Sequence, residues 1–304
     1  MAFAKIGIMS IGEMGYHWAK LLLRHGVEVL TYDRNRSPVT RKRAENAGVM
    51  SAGTLIELCT KADLIVSIVV PSAAPKIAAE IAQAAAEINR KDLIYFDGNA
   101  ISPMTAETIS SVLSEKGVSF VDGCIIGSAS KMDKGSVVYA SGPEAARILE
   151  LGAYGLNVQI LGGGTSQASA FKVVYAGLTK GLQGLFVELL MGAKSFGLLD
   201  EIIKRYDESF PGLLDKVSSS IVGLRTHAGR RAEEMDELKR TYANYGMQAL
   251  LAPAIQQVLA SISELDVRES SNEGLRTGDL METLELFYQK GLLRKTHLAS
   301  AISK

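Results

Sequence analysis

The feature that most constrains this chain is a glycine-bearing turn near its start, Ser10-Ile11-Gly12-Glu13-Met14-Gly15. The apolar run before it, residues 6–9, is typical of a strand covered on both faces, and an amphipathic helical pattern follows it. Gly12 lets the backbone approach a pyrophosphate, Gly15 lets the helix pack closely on the strand, and the helix N-terminus offers N–H groups to phosphates. Although Ser10 replaces the first glycine of the G-x-G-x-x-G pattern, this context predicts a dinucleotide site.

The residues after the second predicted strand, 27–32, bear on which nicotinamide dinucleotide would bind. Asp33 stands about 20 residues beyond the turn, where an acidic side chain pairs with the ribose hydroxyls of NAD and repels the 2′-phosphate of NADP. Arg34, Arg36 and Ser37 follow it, and side chains of these types hold that phosphate. The sequence therefore leaves NAD and NADP open, with NAD slightly favoured.

Composition and charge exclude several classes of protein. Lys plus Arg and Asp plus Glu both number 33, so no net positive field draws the chain to nucleic acid or to an anionic membrane. Cys59 and Cys124 lie far apart in sequence and predict neither a disulfide framework nor a zinc or other metal site, so a reducing cytoplasm is the expected location. We expect no signal peptide, because no charged leader and apolar segment precede the first strand, and no membrane span, because the apolar run 178–198 is broken by charged residues and glycines.

Alternating strand and helix patterns fill the first half of the 304 residues and predict an α/β, Rossmann-type fold with a doubly wound parallel sheet. The glycine run 162–164 ends this alternation, and no convincing strand follows it. The helical patterns beyond it cover a long segment to about residue 195 and then residues 212–222, 226–242, 247–263 and 279–290. We expect a dinucleotide-binding domain of residues 1–162 and an all-helical domain of residues 163–304.

Four segments resemble the β-hydroxyacid dehydrogenase family, which includes 3-hydroxyisobutyrate and 6-phosphogluconate dehydrogenases. They are the nucleotide turn, residues 96–103 after the fifth strand, residues 121–128 (where the family has Asp-Ala-Pro-Val-Ser-Gly-Gly), and the glycine turn and helix start at residues 163–172. The resemblance spans nearly the whole chain. It is greatest to a less characterised branch with a Gly-Glu dipeptide in the turn and a His-Ala-x-Arg-Arg segment, here residues 227–231.

The resemblance implies that Lys172 is the catalytic lysine of a helix between the two domains. Hydride transfer between an alcohol and a nicotinamide needs a group that moves a proton on and off the hydroxyl oxygen, and a lysine can serve where burial lowers its pKa. Phe171, Val173 and Val174 supply an apolar setting. On the residues alone, a surface lysine in the first helical turns is the simpler interpretation, and the resemblance favours catalysis.

The resemblance also implies which residues border the cofactor and the substrate. Asn99 would contact both, although an Asx-turn is equally consistent with its sequence position. Val70 and Pro71 would border the cofactor. The backbone N–H groups of Ile126, Gly127 and Ser128 would hold a substrate carboxylate, with Ile126 in place of the family's serine and Cys124 in place of its proline. We interpret Cys124 as a small buried residue, because nothing near it in sequence would lower its pKa.

Further substrate contacts are predicted in the helical domain. Ala176 replaces an asparagine that family members carry one turn after the lysine, so Tyr175 or Thr179 would supply the missing hydrogen bond. The spacing of His227, Arg230 and Arg231 places them on one helical face, and His227 and Arg231 are the candidates for an anionic substrate group. Glu234, four residues after Arg230, indicates instead an intrahelical ion pair. Lys180 lies two turns from Lys172 on the same face and could bind an anionic substrate, but we interpret it as a solvated helix residue.

These patterns predict an NAD(P)-dependent oxidoreductase that acts on a small anionic β-hydroxy acid or a related keto compound. The resemblance implies a homodimer formed through the helical domain, and the apolar helix 176–190 has too few polar positions for a lone surface helix. Two alternatives stay open. One is an imine reductase, a class with a similar fold, and the other is a non-catalytic protein that binds the nucleotide for structure or sensing.

Overall fold

The computed structural model describes residues 3–34, 36–265, 267 and 280–293. The chain divides into two compact units, Met1–Lys172 and Val173–Lys304. The division lies inside a helix, somewhat later than the domain boundary predicted after residue 162.

The first unit is built on one eight-stranded sheet. Its strands are β1 (Lys5–Ile8), β2 (Glu28–Thr31), β3 (Met50–Ser51), β4 (Leu64–Ser67), β5 (Ile94–Asp97), β6 (Ser119–Ile126), β7 (Val137–Ser141) and β8 (Asn157–Gly162). They lie in the order β3-β2-β1-β4-β5-β6-β7-β8. The order reverses direction between β1 and β4, which makes the sheet doubly wound and confirms the predicted Rossmann-type fold.

One strand pair departs from the parallel sheet that the sequence predicts. β6 and β7 pair antiparallel, with Asp122 opposite Ser141 and Ile126 opposite Val137, whereas β7 and β8 are parallel again. The predicted parallel sheet is therefore confirmed for the other strand pairs, and this one pair is the exception. The physical reason is the short connection between β6 and β7, residues 127–136, which contains only the 3-10 turn Ala129–Lys131. A crossover between parallel strands needs a dozen or more residues, so this connection is too short for one.

Helices cover both faces of this sheet. They are α1 (Glu13–Arg24), α2 (Pro38–Ala47), α3 (Leu55–Lys61), α4 (Ala74–Glu87), α5 (Pro103–Ser114) and α6 (Ala145–Ile148). Every residue of β4 and β5 is buried. Tyr95 and Phe96, neighbours in β5, belong to two different hydrophobic clusters, because successive side chains of a strand point to opposite faces.

The second unit is helical, and its described residues contain no strand. Its helices are α7 (Gln167–Ser195), which starts in the first unit, α8 (Leu199–Ser209), α9 (Leu213–Val222), α10 (Leu224–Asn244), α11 (Leu251–Ser263) and α12 (Leu280–Gln289). The sequence analysis missed α8, although Leu199, Ile202, Ile203 and Tyr206 have helical spacing and pack on the core of this unit. Residue 279, the predicted start of the last helix, lies outside the described residues.

Helix α7 is the central helix of the second unit. Gly177 faces Leu238 of α10, where a Cβ would lie 2.7 Å from a leucine methyl, and Gly184 faces Ile255 of α11, where a Cβ would lie 2.9 Å from an isoleucine methyl. By length and composition α7 is also apolar enough to cross a bilayer, with a mean hydropathy of 1.2 over 18 residues that are 33% buried. It thus meets a criterion that the sequence analysis expected no segment to meet. The core helix of a globular unit meets the same criterion.

Candidate functional site

The nucleotide turn has the geometry that a dinucleotide needs. α1 begins at Glu13 with Gly12 as its N-cap, and no side chain caps this helix start. A Cβ added at Gly12 would meet nothing nearer than Ser10 Oγ at 3.9 Å, so the space beside the turn is open. At Gly15, in contrast, a Cβ would overlap the backbone carbonyl oxygen of Ser10. The open approach at Gly12 and the uncapped N-terminus fit the pyrophosphate of a dinucleotide.

The other residues of the turn differ in exposure. Ile11 is buried and Met14 packs against the hydrophobic cluster around Trp18, whereas Glu13 is exposed. Their predicted roles toward the cofactor are therefore roles of the backbone or, for Glu13, of an exposed carboxylate.

The charged residues after β2 lie beside the same turn. Asp33 Oδ1 accepts a hydrogen bond of 2.6 Å from Ser51 Oγ in β3, and Arg36 Nη2 donates one of 3.1 Å to the carbonyl oxygen of Met9. Arg34 is exposed. Because Met9 directly precedes Ser10, the Arg36 guanidinium is brought to the nucleotide turn, whereas Asp33 is tied to the end of β3.

Asn99 links the ends of β4 and β5. Its Oδ1 accepts a hydrogen bond of 2.6 Å from the Val69 N–H, its Nδ2 donates one of 3.1 Å to Ser67 Oγ, and its own N–H donates one of 2.9 Å to Asp97 Oδ1. The residue is 3% exposed. The Asn99 side chain therefore bridges two strand ends rather than forming the Asx-turn that the sequence allowed, and the local turn is made by the Asp97 carboxylate. The predicted contacts of Asn99 with cofactor and substrate stay a prediction. Val70 is 65% exposed at the same edge, and Pro71 begins a 3-10 turn.

The predicted carboxylate loop follows β6. Ile126 is the last residue of β6 and is half-buried. Gly127 has a φ of 132°, and a Cβ added there would overlap Ser136. Ser136 Oγ donates a hydrogen bond of 2.8 Å to the carbonyl oxygen of Ser128. This contact fixes the loop in a conformation that only glycine adopts readily at position 127. The loop is therefore shaped by Gly127 and Ser136, and the Ser136 contribution is one that the sequence analysis did not foresee.

Lys172 lies at the same edge of the sheet. Its Nζ donates a hydrogen bond of 2.7 Å to the carbonyl oxygen of Ile125, at the end of β6. The neighbouring Phe171 packs its ring on Tyr139 of β7, with 4.5 Å between the ring centroids. Since the carboxyl ends of β1, β5 and β6 meet at one edge, the first unit brings the nucleotide turn, Asn99 and Lys172 to that edge.

A buried carboxylate holds the helix that carries Lys172. Asp122 of β6 accepts hydrogen bonds from the Ser169 N–H at 2.8 Å, from Ser169 Oγ at 2.6 Å and from Ser141 Oγ at 3.3 Å. Ser141 Oγ in turn accepts one of 2.9 Å from the Ala168 N–H. The sequence analysis gave Asp122 and Ser169 no role. The signal was an aspartate inside an otherwise apolar strand, because a buried carboxylate needs donors.

Asp97 and Asp122 face each other on adjacent strands, and both are 0% exposed. Burial, together with the nearby charge of Asp122, raises the pKa of Asp97 to about 7 against the lowering effect of its hydrogen bond from the Asn99 N–H. Burial raises the pKa of Asp122 to about 6, against the lowering effect of its hydrogen bonds from Ser169 and Ser141. Among the described residues, Asp97 Oδ2 has no hydrogen-bond partner.

The cysteines are inert in this structure. Burial raises the pKa of Cys124 to about 12, which agrees with its interpretation as a buried residue rather than a nucleophile. Cys59 is likewise buried with its pKa raised to about 12. Within the part of the chain that the structure describes, no group of three His, Cys, Asp or Glu side chains is placed to hold a metal ion.

The candidates on α7 in the second unit differ in exposure. Tyr175 is 44% exposed, whereas Ala176, which stands at the family's asparagine position, is buried. Thr179 is half-buried and its Oγ1 donates a hydrogen bond of 3.0 Å to the Ala176 carbonyl oxygen in its own helix. Their roles toward the substrate stay predictions.

The α10 candidates lie against α7. Arg231 Nη1 donates hydrogen bonds of 2.9 Å to Gln183 Oε1 and 2.6 Å to the Ser220 carbonyl oxygen, while His227 is exposed. Burial lowers the pKa of both, and nearby arginines add to that effect. Arg231 is thus already engaged within its own unit, and binding of a substrate anion by it or by His227 stays a prediction.

Lys180 is not the solvated residue that the sequence suggested. Its Nζ pairs with Glu234 Oε2 at 2.6 Å, and its side chain is only 17% exposed. Glu234 Oε1 also accepts a hydrogen bond of 2.9 Å from Arg230 Nη1, which confirms the intrahelical ion pair that the spacing indicated. The correction for Lys180 follows from the packing of α10 on α7, which brings Glu234 to it.

Two domain models match the chain. Residues 5–150 match the "NAD binding domain of 6-phosphogluconate dehydrogenase". Residues 193–262 match a "domain of unknown function", DUF1932, and this match includes the His227–Arg231 segment.

Relatives in sequence include proteins with a named activity. An uncharacterised 28.5 kDa protein of Methanothermus fervidus is 26% identical over 86% of this chain and 99% of its own length. A mitochondrial 3-hydroxyisobutyrate dehydrogenase of Bos taurus is 27% identical over 54% of this chain and 50% of its own length. An L-threonate dehydrogenase of Cupriavidus necator is 26% identical over 65% of this chain and 66% of its own.

Solved structures share this fold. A conserved protein described as similar to 3-hydroxyacid dehydrogenases has a TM-score of 0.73 at 28% identity, covering 86% of this chain and 97% of its own. A Mycobacterium tuberculosis 3-hydroxyisobutyrate dehydrogenase has a TM-score of 0.75 at 16% identity, covering 93% and 99%. A Myxococcus stipitatus imine reductase bound to NAD+ has a TM-score of 0.60 at 15% identity, covering 93% and 100%.

The NAD-binding domain model, the named relatives and the residues at the carboxyl edge of the sheet in the first unit all point to a dinucleotide-dependent dehydrogenase. The nucleotide turn fits a nicotinamide dinucleotide, and the lysine-bearing helix start is held at the same edge of the sheet. This chain is thus similar to the β-hydroxyacid dehydrogenases, NAD(P)-dependent oxidoreductases, in its residues 5–150, in its named relatives and in its fold.

Proposed function

We propose that this chain is a dehydrogenase that interconverts a small anionic β-hydroxy acid and the corresponding aldehyde or keto acid, with Lys172 as general acid and base. One observation carries the proposal: the Lys172 ammonium is held 2.7 Å from the Ile125 carbonyl oxygen, at the edge where β1 ends in the nucleotide turn. A solvated lysine on a helix surface would have no such partner. The hydrogen bond supports a fixed position for the group that exchanges a proton with substrate.

The chemistry left to the protein is proton transfer and substrate binding, because a bound nicotinamide supplies hydride transfer. In oxidation the neutral Lys172 amine would accept the substrate's hydroxyl proton, and in reduction its ammonium would return that proton to the carbonyl oxygen. The backbone N–H groups of residues 126–128 would hold the substrate carboxylate. The β-hydroxy acids named for two relatives, 3-hydroxyisobutyrate and L-threonate, are the first compounds to test.

For the cofactor we propose NAD over NADP. Ser51 donates a hydrogen bond to one oxygen of Asp33, and the other oxygen would accept from the ribose hydroxyls. Arg36 already donates one guanidinium hydrogen bond to the Met9 carbonyl oxygen, so fewer of its N–H groups are available for a 2′-phosphate.

The proposal is tested by comparing wild type with Lys172→Met, a variant that removes the amine and keeps a side chain of similar length. Calorimetric titration with NADH and NADPH measures cofactor binding, and turnover is measured with the two β-hydroxy acids. We expect cofactor affinity to change less than about threefold while kcat falls by about 10²- to 10⁴-fold, the usual contribution of a general acid or base. Unchanged turnover in the variant would refute the role of Lys172, and cofactor binding without turnover of any compound in wild type would favour a non-catalytic protein.

An imine reductase is the second candidate, and one observation favours it. Ala176, buried at the position of the family's asparagine, offers no side-chain hydrogen bond to a substrate hydroxyl. Reduction of 2-methyl-1-pyrroline, with no turnover of either β-hydroxy acid, would select this alternative.

We also propose a homodimer formed through α7. Four apolar side chains on one face of this helix, and Phe196 directly after its end, are 44–78% exposed; we call them the α7 stripe: Val174, Leu178, Leu185, Leu189 and Phe196. Gly181 and Gly192 on the same face have nothing within 4 Å of an added Cβ, so another helix could approach closely. A second copy of the stripe is the matching occupant, since a twofold interface brings one surface against itself.

A further inference from the structure

We infer that Asp122 is a positioning residue for the reaction: it fastens the first turn of α7 to β6 and thereby sets where the Lys172 amine lies. The inference rests on the proposed role of Lys172. In the proposed chemistry Asp122 touches neither substrate nor cofactor. Its effect on turnover would come through the position of Lys172.

Asp122, a residue of β6, caps the N-terminus of α7. α7 begins at Gln167, so the N–H groups of Ala168 and Ser169 belong to its first turn, where no helical partner is available. The Asp122 carboxylate accepts from the Ser169 N–H directly and reaches the Ala168 N–H through Ser141 Oγ. A negative charge at this end also interacts favourably with the helix dipole.

The attachment has two points that share one strand and one helix face. Asp122 and Ile125 both belong to β6, and their partners Ser169 and Lys172 are three residues apart in α7. Residues with this spacing lie on the same side of a helix, about 4.5 Å apart along its axis. A shift of the first turn at Ser169 therefore moves the Lys172 backbone relative to Ile125 and changes where the amine lies.

The Asp122 contact is the buried half of this attachment. Asp122, Ser141 and Ser169 are all at most 1% exposed, so no water replaces a lost hydrogen bond there without rearrangement. The Lys172 contact is only part-buried. The rigid point is thus Asp122, and Lys172 depends on it. A displacement of about 1 Å in a catalytic group is enough to lower a rate about 100-fold.

The first experiment measures the attachment itself. Hydrogen exchange followed by mass spectrometry, at pH 8 where Asp122 is ionised, compares wild type with Asp122→Asn over a peptide spanning residues 166–173. We expect this segment to exchange at least about tenfold faster in the variant, because the first turn loses its charged acceptor. Equal exchange in both proteins would overturn the inference without any reference to substrate.

The second experiment asks whether Asp122 acts through Lys172. We expect Asp122→Asn to lower kcat with L-threonate or 3-hydroxyisobutyrate by about 10- to 100-fold, with NADH affinity and KM within about threefold of wild type. In a Lys172→Ala background the same substitution is expected to cause no further loss. Loss of thermal stability with unchanged kcat, or an equal further loss without Lys172, would overturn the inference.

Two serines at the same helix start provide matched variants. Ser166→Ala removes an exposed hydrogen bond of 2.9 Å to Glu107 and is expected to leave kcat unchanged. Ser169→Ala removes the 2.6 Å bond to Asp122 and keeps the backbone one, so we expect a decrease of about threefold to tenfold. If Asp122→Asn does not fold, this pair decides the matter, because equal kcat values for the two serine variants would overturn the inference. If Lys172→Ala itself keeps full turnover, the proposed function fails instead.

Discussion

Gly15 lies so close to the backbone carbonyl oxygen of Ser10 that any Cβ at position 15 would overlap that oxygen. The other glycine of the turn, Gly12, has no such neighbour and faces open space. The two glycines therefore serve different purposes: Gly15 permits α1 to pack on the turn, and Gly12 leaves room for a ligand.

This difference predicts opposite effects of the same substitution. Gly15→Ala is expected to lower the free energy of unfolding by about 1–3 kcal/mol, because a backbone atom cannot move away as a side chain can. Gly12→Ala is expected to change stability by less than about 1 kcal/mol and to weaken NADH binding at least about tenfold. Urea denaturation and calorimetric titration measure the two effects. A Gly12→Ala protein that binds NADH as wild type does would contradict the placement of the pyrophosphate.

Asp33 is expected to determine the preference for NAD. Asp33→Asn keeps an acceptor for Ser51 and removes the charge that repels a 2′-phosphate. The ratio of NADPH to NADH affinity should rise at least about tenfold, equivalent to about 1.4 kcal/mol. Adding Arg36→Gln to this variant should reduce the ratio again. A ratio that Asp33→Asn leaves unchanged would show that Asp33 does not face the ribose.

The raised pKa of Asp97 predicts how stability depends on pH. Between its ordinary value of 3.8 and its folded value of about 7, the folded protein keeps a proton that the unfolded chain releases. Stability must therefore decrease as pH rises through this window, by at most about 1.4 kcal/mol per pH unit for this group. Asp97→Asn should make the decrease between pH 5 and pH 8 less steep.

Urea denaturation at four pH values in this range measures that slope. Asp92→Asn is the control, because Arg90 lowers the pKa of Asp92 and moves its titration below this range. Its curve should run parallel to that of wild type. A parallel curve for Asp97→Asn as well would show that Asp97 is ionised in the folded protein throughout.

The ion pair between Lys180 and Glu234 is expected to be structural. Both side chains are more than 70% buried, so Glu234→Gln leaves a shielded ammonium without its partner and should destabilise the protein by about 1–3 kcal/mol. A double-mutant cycle with Lys180→Met should give a coupling energy of about 1 kcal/mol. Arg230→Gln, at a 64% exposed arginine, should cost less than about 0.5 kcal/mol. A tenfold rise in KM for Lys180→Met at unchanged stability would point to substrate binding.

The α7 stripe predicts the oligomeric state. Leu178→Asp combined with Leu185→Asp should convert a dimer into a monomer in analytical ultracentrifugation, because charges cannot be buried unpaired at an apolar interface. Leu250→Asp, at a 73% exposed leucine outside the stripe, should leave the dimer intact. A wild-type protein that sediments as a monomer would refute the proposed interface.

The fold of the first unit was predictable because its signals are local. The apolar run of residues 6–9 and the glycines at 12 and 15 act through backbone geometry and burial that neighbouring residues in sequence determine. The antiparallel β7 was not predictable in this way, since apolar strands of either orientation look alike. Its direction depends on the length of one connection, and the sequence analysis did not weigh that length.

The residues of the candidate site were only partly predictable from the sequence. Lys172 was named from a segment resemblance, and the structure adds its acceptor at Ile125. Lys180 was misjudged because its partner Glu234 is far away in sequence and reaches it through the packing of α10 on α7. Ionic partners across elements leave no periodic signal in either segment.

The amino-acid sequence by itself determined the order of strands and helices in the first unit, the nucleotide turn and the division into an α/β part and a helical part, because these follow from spacing along the chain. Only the tertiary structure decided that Asp122 of β6 and Ser169 of α7 meet, that Asn99 joins two strand ends and that Asp97 is buried beside another carboxylate. Hydrogen bonds and pKa values depend on distance and solvent access in three dimensions, which spacing along a chain does not specify.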